Sequence, residues 1–390
     1  MKSDDAFTKA MSGQSWDEFC DRLKQLGQIV RRSEAPTSEL DRAEGLRYLA
    51  RLTRLGLDLC FEHADSDFPV FLNAWNATTK AGADNPDNHY LNATVRGDCE
   101  YRVWGFRGTA RSLRFATLAN RDAAEGRMTL TGSLRGGEMS FDADGAFEIA
   151  VGRDPRPGNW LALEPDSSVL TVRQNLGDRL REIPATVNIE RIGGPATPRL
   201  LTPRRADWAL RGAVSFLERV AGRYADWAKW FKACPNRLHD LKDTPFHEEG
   251  GDPRTCYMHG YWSLGPDEVL VVETAMPECE TWNFQLNNYW MESLDYRHYP
   301  VCINKQQARY NSDGSLTLVA ATSDPGVGNF LDTTGHRCGM MTFRWTGAQS
   351  YPVPGCRVVR RATLIDPGKR GDYHDSHPRI SERSGNRGGQ

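Results

Sequence analysis

Hydrophobic residues recur every three or four positions in two segments near the N-terminus, which is the spacing of one face of an α-helix. Residues 15–30 have this pattern, and Ser15 with Glu18 three positions later predicts a capped helix start. Residues 38–62 repeat the pattern, with leucines on one side and arginines on another (Leu46, Leu49, Leu52, Leu55 and Leu59; Arg47, Arg51 and Arg54). We therefore expect an N-terminal helical region over residues 1–80. The arginine row could bind an anion, but a solvated or glutamate-paired face is the favoured interpretation.

From residue 90 the period of the pattern changes to two. Short runs such as YRVWGF at 101–106 and MTLTGSL at 128–134 are bounded by glycine, aspartate or proline. They predict a first antiparallel β module over residues 90–195. A second series of such runs, from CYMHGYW to GMMTFRW, predicts a second β module over residues 250–365.

Helical spacing returns between the two β regions. Five apolar residues within 203–235 lie near one broad face (Trp208, Phe216, Val220, Trp227 and Phe231). Such a row is more often core than ligand-binding surface, so we expect a connecting helix that packs against the sheets. Residues 370–390 are polar and rich in residues that break regular structure, which predicts a disordered tail.

An internal repeat links the two β regions. DPRPGNWLALEPD at residues 154–166 aligns without gaps on DPGVGNFLDTTGH at residues 324–336. The flanks agree as well, because a DG turn precedes each copy and a TxR tripeptide follows it, beginning at Thr171 and at Thr342. This shared unit predicts duplicated modules, each a sandwich or jelly roll of short antiparallel strands. The predicted fold class is therefore mainly β with helical additions, an α+β protein.

The overall composition narrows the partners. A chain of 390 residues is long enough for two domains, and a formal net charge of −2 gives no whole-molecule attraction for nucleic acid or an anionic membrane. The nine cysteines form no CxxC pair, so we expect reduced, mostly buried thiols. Since no apolar leader or membrane-length run occurs, we expect a cytoplasmic protein. The expected partner is a small molecule. The sequence leaves open whether the chain forms a homo-oligomer.

Comparing the two copies of the repeat distinguishes residues that a turn needs from residues that could take part in catalysis. Both keep the Asp-Pro start, a glycine and an asparagine, which a turn itself needs. Only the second copy contains Asp332, Thr333, Thr334 and His336. We therefore take His336 and Asp332 as catalytic candidates, with the carboxylate orienting an imidazole that acts as acid or base. The favoured alternative is a well-bonded turn without chemistry.

Alternation in the run TWNFQLNNYW places three amides, Asn283, Gln285 and Asn287, on one face of a strand. This face would either meet solvent or bind carbonyl and hydroxyl groups of a ligand. We include the three amides as substrate-binding candidates, together with Trp290 at the end of the run and Arg344 in the TxR tripeptide.

The run CYMHGYW places Tyr257, His259 and Tyr261 on one face. His259 could act as a general acid or base between the two phenols, which would then bind substrate. The favoured alternative is a cross-strand aromatic ladder around a histidine whose hydrogen bonds are satisfied.

No motif supports a metal or a nucleotide cofactor. The residues that could converge on a metal lack HxH or HxxxH spacing (His247, His259, His298, His336, Glu248 and Glu249). No GxGxxG, GxxxxGK(S/T) or GxSxG set occurs in a fitting context. We expect no metal site, and the sequence does not identify a cofactor.

The second β region resembles a known family. The runs GYWSLGPDEVLVVE, CETWNFQLNNYW and NSDGSLTLVAATSDPGVGNFLDTTGHRCGMMTFRW are similar to the bacterial family called domain of unknown function 1214. The similarity covers residues 256–346 well and residues 99–190 loosely, through GNWLALEPDSSVLTVRQN, and the N-terminal helices fall outside it. Members resemble β-sandwich proteins, so the resemblance implies that fold. It implies no catalytic residue, because the family has no agreed mechanism.

Three hypotheses for function follow. The leading one is an enzyme that acts by acid/base chemistry on a small, largely apolar or aromatic metabolite in a pocket of the second β module. The alternatives are a non-catalytic carbohydrate- or lipid-binding β-sandwich protein, and a partner-binding protein that uses the N-terminal helices. The first two differ in whether the His336 ring points into a pocket.

Overall fold

The computed structural model describes residues 2–122, 127–246 and 252–364. These ranges contain the helices α1 (Lys2–Ser12), α2 (Gln14–Leu26), α3 (Glu39–Leu57) and α4 (Pro203–Lys232). A 3₁₀ turn (Gly27–Arg31) follows α2, and a π turn (Asp58–Glu62) follows α3. The structure therefore confirms helices over residues 15–30, 38–62 and 203–232, whereas α1 has no counterpart in the predicted pattern.

Capping residues set where α2 and α3 begin. Ser38 is the N-cap of α3, and its side chain accepts a hydrogen bond from the Asp41 N–H. The predicted Ser15 cap is wrong, because Gly13 takes the N-cap of α2 in the left-handed conformation, with φ of 85°. The Ser15 hydroxyl instead donates to Asp207 on α4 at 2.7 Å, so it joins two helices.

The helices form a layer over the second β module, with α4 in contact with α1, α2 and α3. Large apolar side chains fill the space between this layer and the strands (Tyr48, Leu52, Leu217, Phe231, Tyr261, Trp290 and Met340). Removing them from water is the main source of stability for such a layer. Trp208, the first residue of the predicted apolar row, is exposed, so that row is core only beyond the first turns of α4.

The first β module consists, within the described residues, of two 4-stranded sheets. One has the strand order β1-β7-β3-β4 and the other β6-β5-β2-β8. The strands are β1 (Asn88–Thr94), β2 (Glu100–Phe106), β3 (Ser112–Asp122), β4 (Arg127–Arg135), β5 (Ala146–Gly152), β6 (Trp160–Ala162), β7 (Ser167–Asn175) and β8 (Thr186–Ile192).

The second β module repeats this arrangement with one strand added. Its sheets have the orders β9-β10-β16-β12-β13 and β15-β14-β11-β17. The strands are β9 (Arg237–Asp240), β10 (Thr255–Ser263), β11 (Glu268–Thr274), β12 (Thr281–Asn287), β13 (Cys302–Asn304), β14 (Leu316–Ala321), β15 (Phe330–Asp332), β16 (Cys338–Thr346) and β17 (Gly355–Arg360). The strands β10 to β17 correspond, in chain order, to β1 to β8. With this correspondence the two modules have the same strand orders, and β9 is the additional strand, beside β10.

Pairing registers agree between the modules. Tyr90 pairs with Arg173 across β1 and β7, and Tyr257 pairs with Arg344 across β10 and β16. Each module also contains one parallel pair, β5 with β6 and β14 with β15, which the purely antiparallel prediction does not include. The predicted α+β fold of two duplicated sandwich-like modules is thus confirmed.

Two of the predicted regions differ in extent from the described structure or lie outside it. Helical structure ends at residue 62, and residues 63–87 follow as irregular chain with isolated bridges, so the helical region is shorter than 1–80. Residues 370–390, the predicted tail, lie outside the described residues. Across the described ranges, none of the helices combines the length and apolar character that a bilayer span requires.

Candidate functional site

A cavity of about 450 Å³ lies between the two β modules. Equivalent strands of the modules supply its two main walls, and the middle of α4 and the irregular segment 74–88 complete it. The first module contributes Tyr90, Asn92, Leu118, Thr171 and Arg173, and the second contributes Thr255, Tyr257, Trp282, Asn283 and Arg344. Helix α4 adds Phe216, Arg219, Val220, Arg223 and Tyr224. The lining therefore combines aromatic rings with arginines and neutral polar groups.

Each main wall presents an arginine above a tyrosine ring. The Arg173 guanidinium carbon lies 5.4 Å from the centre of the Tyr90 ring, and that of Arg344 lies 5.8 Å from the Tyr257 ring. Both pairs are directly opposite residues of neighbouring strands. A guanidinium over an aromatic face is held by the ring quadrupole, which fixes the direction of the arginine. The duplication thus places one oriented cation on each side of the cavity.

Arg344 is the more enclosed of the two arginines, with 7% of its surface exposed. Its Nη1 donates to Gln285 Oε1 at 2.6 Å and to Asn283 Oδ1 at 3.4 Å. Its Nη2 donates to the backbone oxygen of Ala83. These acceptors are all neutral, so they orient the guanidinium without cancelling its charge.

Carboxylates of the segment 84–87 are buried behind the same wall. Asp84 accepts hydrogen bonds from the Ser293 N–H at 2.9 Å and the Ser293 hydroxyl at 2.8 Å. Asp87 pairs with Arg179 at 3.1 Å. Burial raises the pKa of both carboxyl groups above their ordinary values, although Lys80 near Asp84 and Arg179 near Asp87 partly oppose this.

The predicted row of amides is buried and contacts the 83–87 segment. Asn283 Nδ2 donates to Asn85 Oδ1 at 2.7 Å, and Gln285 Nε2 donates to the Asp84 carbonyl at 2.9 Å and to Asn287 Oδ1 at 2.6 Å. Asn283 lines the cavity, whereas Gln285 and Asn287 are fully buried behind it. The amide face therefore mostly anchors the irregular segment and holds Arg344.

His336 is buried away from the cavity lining, with 3% of its surface exposed. Its Nε2 lies 2.8 Å from Glu44 Oε2 of α3, and its Nδ1 lies 3.0 Å from the Thr333 carbonyl oxygen. Asp332 does not orient this ring, because its Oδ1 accepts from the Thr334 N–H at 2.7 Å. The loop of the second repeat thus connects the β module to a helix.

The Glu44–His336 pair has shifted pKa values. Burial alone would lower the pKa of His336, but the hydrogen bond and charge of Glu44 raise it above its ordinary value. Burial alone would raise the pKa of Glu44, but the contact with His336 lowers it. Both groups are therefore held in their charged forms by each other.

The remaining predicted residues lie in the core. The His259 Nδ1 is 3.0 Å from the Thr342 hydroxyl, and its ring packs edge-on against Trp227 of α4. Tyr261 and Trp290 are 2% exposed and belong to the core between helices and sheet. Of the residues predicted to form a site, the structure brings Tyr257, Asn283 and Arg344 to the cavity.

Sequence reasoning missed the contribution of the first module. Tyr90 and Arg173 of that module line the cavity, and so do His63 and residues of the segment 84–87, which lie before it in the chain. The TxR tripeptide that precedes Gln174 was a usable signal, since it aligns Arg173 with Arg344. No local pattern marks residues 84–88, because their role depends on where an irregular segment crosses the sheet.

The described residues contain no group of three or more histidine, cysteine or acidic side chains that could hold a metal. His247, Glu248 and Glu249, which the sequence includes among potential metal ligands, lie outside the described residues. All nine cysteines are free thiols, of which Cys20 and Cys234 are exposed, so burial of the thiols is not general.

Comparisons with known proteins include a strong match to a solved structure. No protein-family model matches the chain, so the resemblance to domain of unknown function 1214 stays a prediction, and no curated protein matches it. A protein from Vibrio parahaemolyticus has 11% identity over 87% of this chain and all of its own, with a TM-score of 0.48. An uncharacterised protein from Burkholderia cenocepacia has 45% identity over 92% of this chain and 99% of its own, with a TM-score of 0.87. The chain belongs to the same family as this Burkholderia protein.

Proposed function

We propose that the protein binds a small organic molecule in the cavity between its two β modules. The observation that carries this proposal is the cavity itself, to which both repeats direct an arginine and a tyrosine from equivalent strand positions. Its volume of about 450 Å³ lies within the range of about 300–1,000 Å³ that is usual for small-molecule sites. The site belongs to both modules, and not to the second module alone as the sequence suggests.

The lining supports a ligand with an apolar or aromatic body and a few polar groups. Six aromatic side chains border the cavity (Trp75, Tyr90, Phe216, Tyr224, Tyr257 and Trp282). Between them lie hydroxyl and amide groups such as Thr171, Asn175 and Asn283 that can fix orientation. This mixture fits a small metabolite better than an extended carbohydrate chain, which needs an open groove.

Binding, and not acid/base catalysis by His336, is the function that the geometry supports. The imidazole of His336 is held by Glu44 and the Thr333 carbonyl and does not reach the cavity lining. A general base must come within hydrogen-bond reach of the proton that it removes. Partner binding through the arginine row has little support as well, because Arg51 pairs with the buried Glu292 at 2.6 Å and Arg54 donates to Thr79.

The test is a cavity-filling variant. Thr171 lies on the cavity wall of β7, two residues before Arg173, so Thr171→Trp would occupy the space where a ligand lies. Native mass spectrometry and a thermal-shift screen of small metabolites would be run on wild-type protein, on Thr171→Trp and on Thr186→Trp. Thr186 is an exposed residue of β8 outside the cavity and serves as the matched control.

We expect ligands that bind the wild type and Thr186→Trp to bind Thr171→Trp at least about tenfold more weakly, which corresponds to about 1.4 kcal/mol. Equal binding to Thr171→Trp and the control would move the ligand site elsewhere and overturn the proposal.

A further inference from the structure

The cavity contains a buried cation, Arg344, whose hydrogen-bond acceptors are all neutral. Arg344 forms three hydrogen bonds, to Gln285, Asn283 and the Ala83 carbonyl. Among the described residues, no carboxylate lies within ion-pair distance of its guanidinium group. A charge taken out of water is costly unless an opposite charge accompanies it. A purely structural contact to these acceptors needs only a neutral donor. The charge of Arg344, which has no ion-pair partner within the described ranges, therefore points to an anionic ligand that binds beside it.

The nearest buried charges do not remove this imbalance. Asp84 interacts electrostatically with Arg344, but it also interacts with Lys80, whose ammonium group donates to the Ser293 and Leu294 carbonyls. Asp87 is paired with Arg179. Asp84 is therefore shared between Arg344 and Lys80, and Glu292 and Asp295 act on Lys80 as well.

Arg344 also has donors left for a ligand. An arginine carries five N–H groups, of which three are used in the hydrogen bonds described above. The Nε–H and one Nη2–H have no acceptor among the described residues, and Arg344 borders the cavity. Two N–H groups of one guanidinium can bind the two oxygens of a carboxylate or another oxyanion together. The Tyr257 ring behind the guanidinium keeps it in place.

The cavity lining as a whole carries more positively than negatively charged side chains. Within the described residues it contains six arginines (Arg111, Arg173, Arg219, Arg223, Arg254 and Arg344) and four carboxylates (Asp84, Asp87, Asp252 and Glu280). Arg254 lies between Asp252 and Glu280 and is neutralised by them. The Arg173 and Arg219 side chains come from the opposite wall and from α4. The field in the cavity therefore favours a negatively charged molecule.

We propose that the ligand of this cavity is an organic acid whose oxyanion binds to Arg344 and whose apolar body lies among the aromatic side chains. This inference rests on the proposed binding function and specifies its ligand class. A carboxylate is the expected oxyanion, since its planar shape matches the arginine fork.

The experiment compares matched acids and neutral molecules on the full chain. Benzoate and 4-phenylbutyrate would be measured against benzamide and 4-phenylbutyramide by isothermal titration calorimetry, with phenyl phosphate and benzenesulfonate as the other oxyanion classes. We expect at least one acid to bind about tenfold or more tightly than its amide. If phenyl phosphate binds more tightly than any carboxylate, the ligand is still an oxyanion at Arg344, but the expectation that it is a carboxylate is overturned.

Variants then locate the anion. Arg344→Gln should abolish the preference for acid over amide, and Arg344→Lys, which keeps the charge but not the fork, should retain part of it. Arg51→Gln is the control, because Arg51 is a largely buried arginine outside the cavity that is paired with Glu292. If Arg344→Gln does not fold, the comparison between Arg344→Lys and the wild type decides.

Failures of the two proposals are distinguishable. If neutral amides bind as tightly as the acids and Thr171→Trp still abolishes their binding, the cavity binds small molecules but the acid inference is overturned. Retention of the acid preference in Arg344→Gln would also overturn it. If Thr171→Trp leaves the binding of every probe unchanged, the proposed function itself fails.

Discussion

The two β modules have the same strand order but differ in how they meet the rest of the chain. In the first module the loop residue Asp166 is exposed and bonds to Arg121 of the neighbouring strand. In the second module the aligned residue, His336, is buried and bonds to Glu44 of α3. One loop therefore faces solvent, whereas its copy joins a module to a helix.

The equivalent strands β3 and β12 show the same contrast. The first module has Arg114, Ala116 and Leu118 at the positions where the second has Asn283, Gln285 and Asn287, because each set lies opposite equivalent residues of β7 and β16. Asn283 and Gln285 of the second module donate hydrogen bonds to the irregular segment 83–87. Duplication therefore kept the residues that build the turns and changed those that face a new neighbour.

The largest expected difference between the modules is at the aligned loop residues. We expect His336→Ala to lower the free energy of unfolding by about 3 kcal/mol, because the largely buried Glu44 carboxylate loses its imidazole partner and keeps only Arg47 and Asn288. Asp166→Ala removes a solvent-screened contact and should have a much smaller effect. Urea denaturation followed by circular dichroism measures both. Equal losses in the two variants would show that the two loops play the same part.

A glycine tests the additional strand β9. Gly260 of β10 lies opposite Met341 as Ala93 of β1 lies opposite Leu170, so the two are counterparts. A Cβ atom at Gly260 would come within 2.1 Å of the Arg237 carbonyl oxygen on β9, which the first module lacks. We expect Gly260→Ala to cost about 2 kcal/mol through overpacking. Thermal unfolding of Gly260→Ala and of the reverse change, Ala93→Gly, provides the measurement; a neutral Gly260→Ala would refute a close approach by β9.

The shared asparagines should act alike in both modules. Asn329 Nδ2 donates to the Arg309 and Thr317 carbonyls, and Asn159 Nδ2 donates to those of Ser140 and Glu148. These carbonyls are backbone groups of the preceding turn and strand, and not of the loop that contains the asparagine. We expect Asn329→Ala to cost about 2 kcal/mol and the more exposed Asn159→Ala about 1 kcal/mol.

Chemical denaturation of the two asparagine variants would measure these losses, and Asn→Asp at each site provides a near-isosteric control that keeps the acceptor. A variant that loses ligand binding without losing stability would contradict a structural role for the asparagines.

The smallest expected effect is a pH dependence confined to the second module. The raised pKa of His336 gives stability that is complete below its unfolded value of 6.5 and is lost as the pH rises through the higher folded value. The lowered pKa of Glu44 gives stability that is complete above 4.5 and is lost as the pH falls through the lower folded value. The stability advantage of the wild type over His336→Asn should therefore be largest between pH 4.5 and 6.5.

The first module lacks the alkaline part of this dependence. Arg121 lowers the pKa of Asp166, so the advantage of the wild type over Asp166→Asn should change only in acid. Urea denaturation at a series of pH values measures both differences. An advantage over His336→Asn that stays constant from pH 5 to pH 9 would show that the imidazole is not charged in the folded protein.

The sequence alone predicted the elements that depend on neighbours along the chain. Periodicity predicted α4 over residues 203–232, and the repeat around residues 154–166 and 324–336 predicted the duplication. Turn residues are readable because an Asx or glycine turn depends on the residues next to it. Arg344 could be selected because the TxR tripeptide that contains it follows both copies of the repeat.

Only the tertiary structure decided what the polar residues contact. His336 meets Glu44 across 292 positions of sequence, and Asn283 meets Asn85 across 198. Hydrogen bonds and ion pairs act over a few ångströms, so their partners depend on the packing of helices and an irregular segment against the sheet, which local pattern does not encode. The cavity is a further case, because it exists only where the two modules meet. The sequence thus determined the two similar walls, and the way in which they pack determined the space between them.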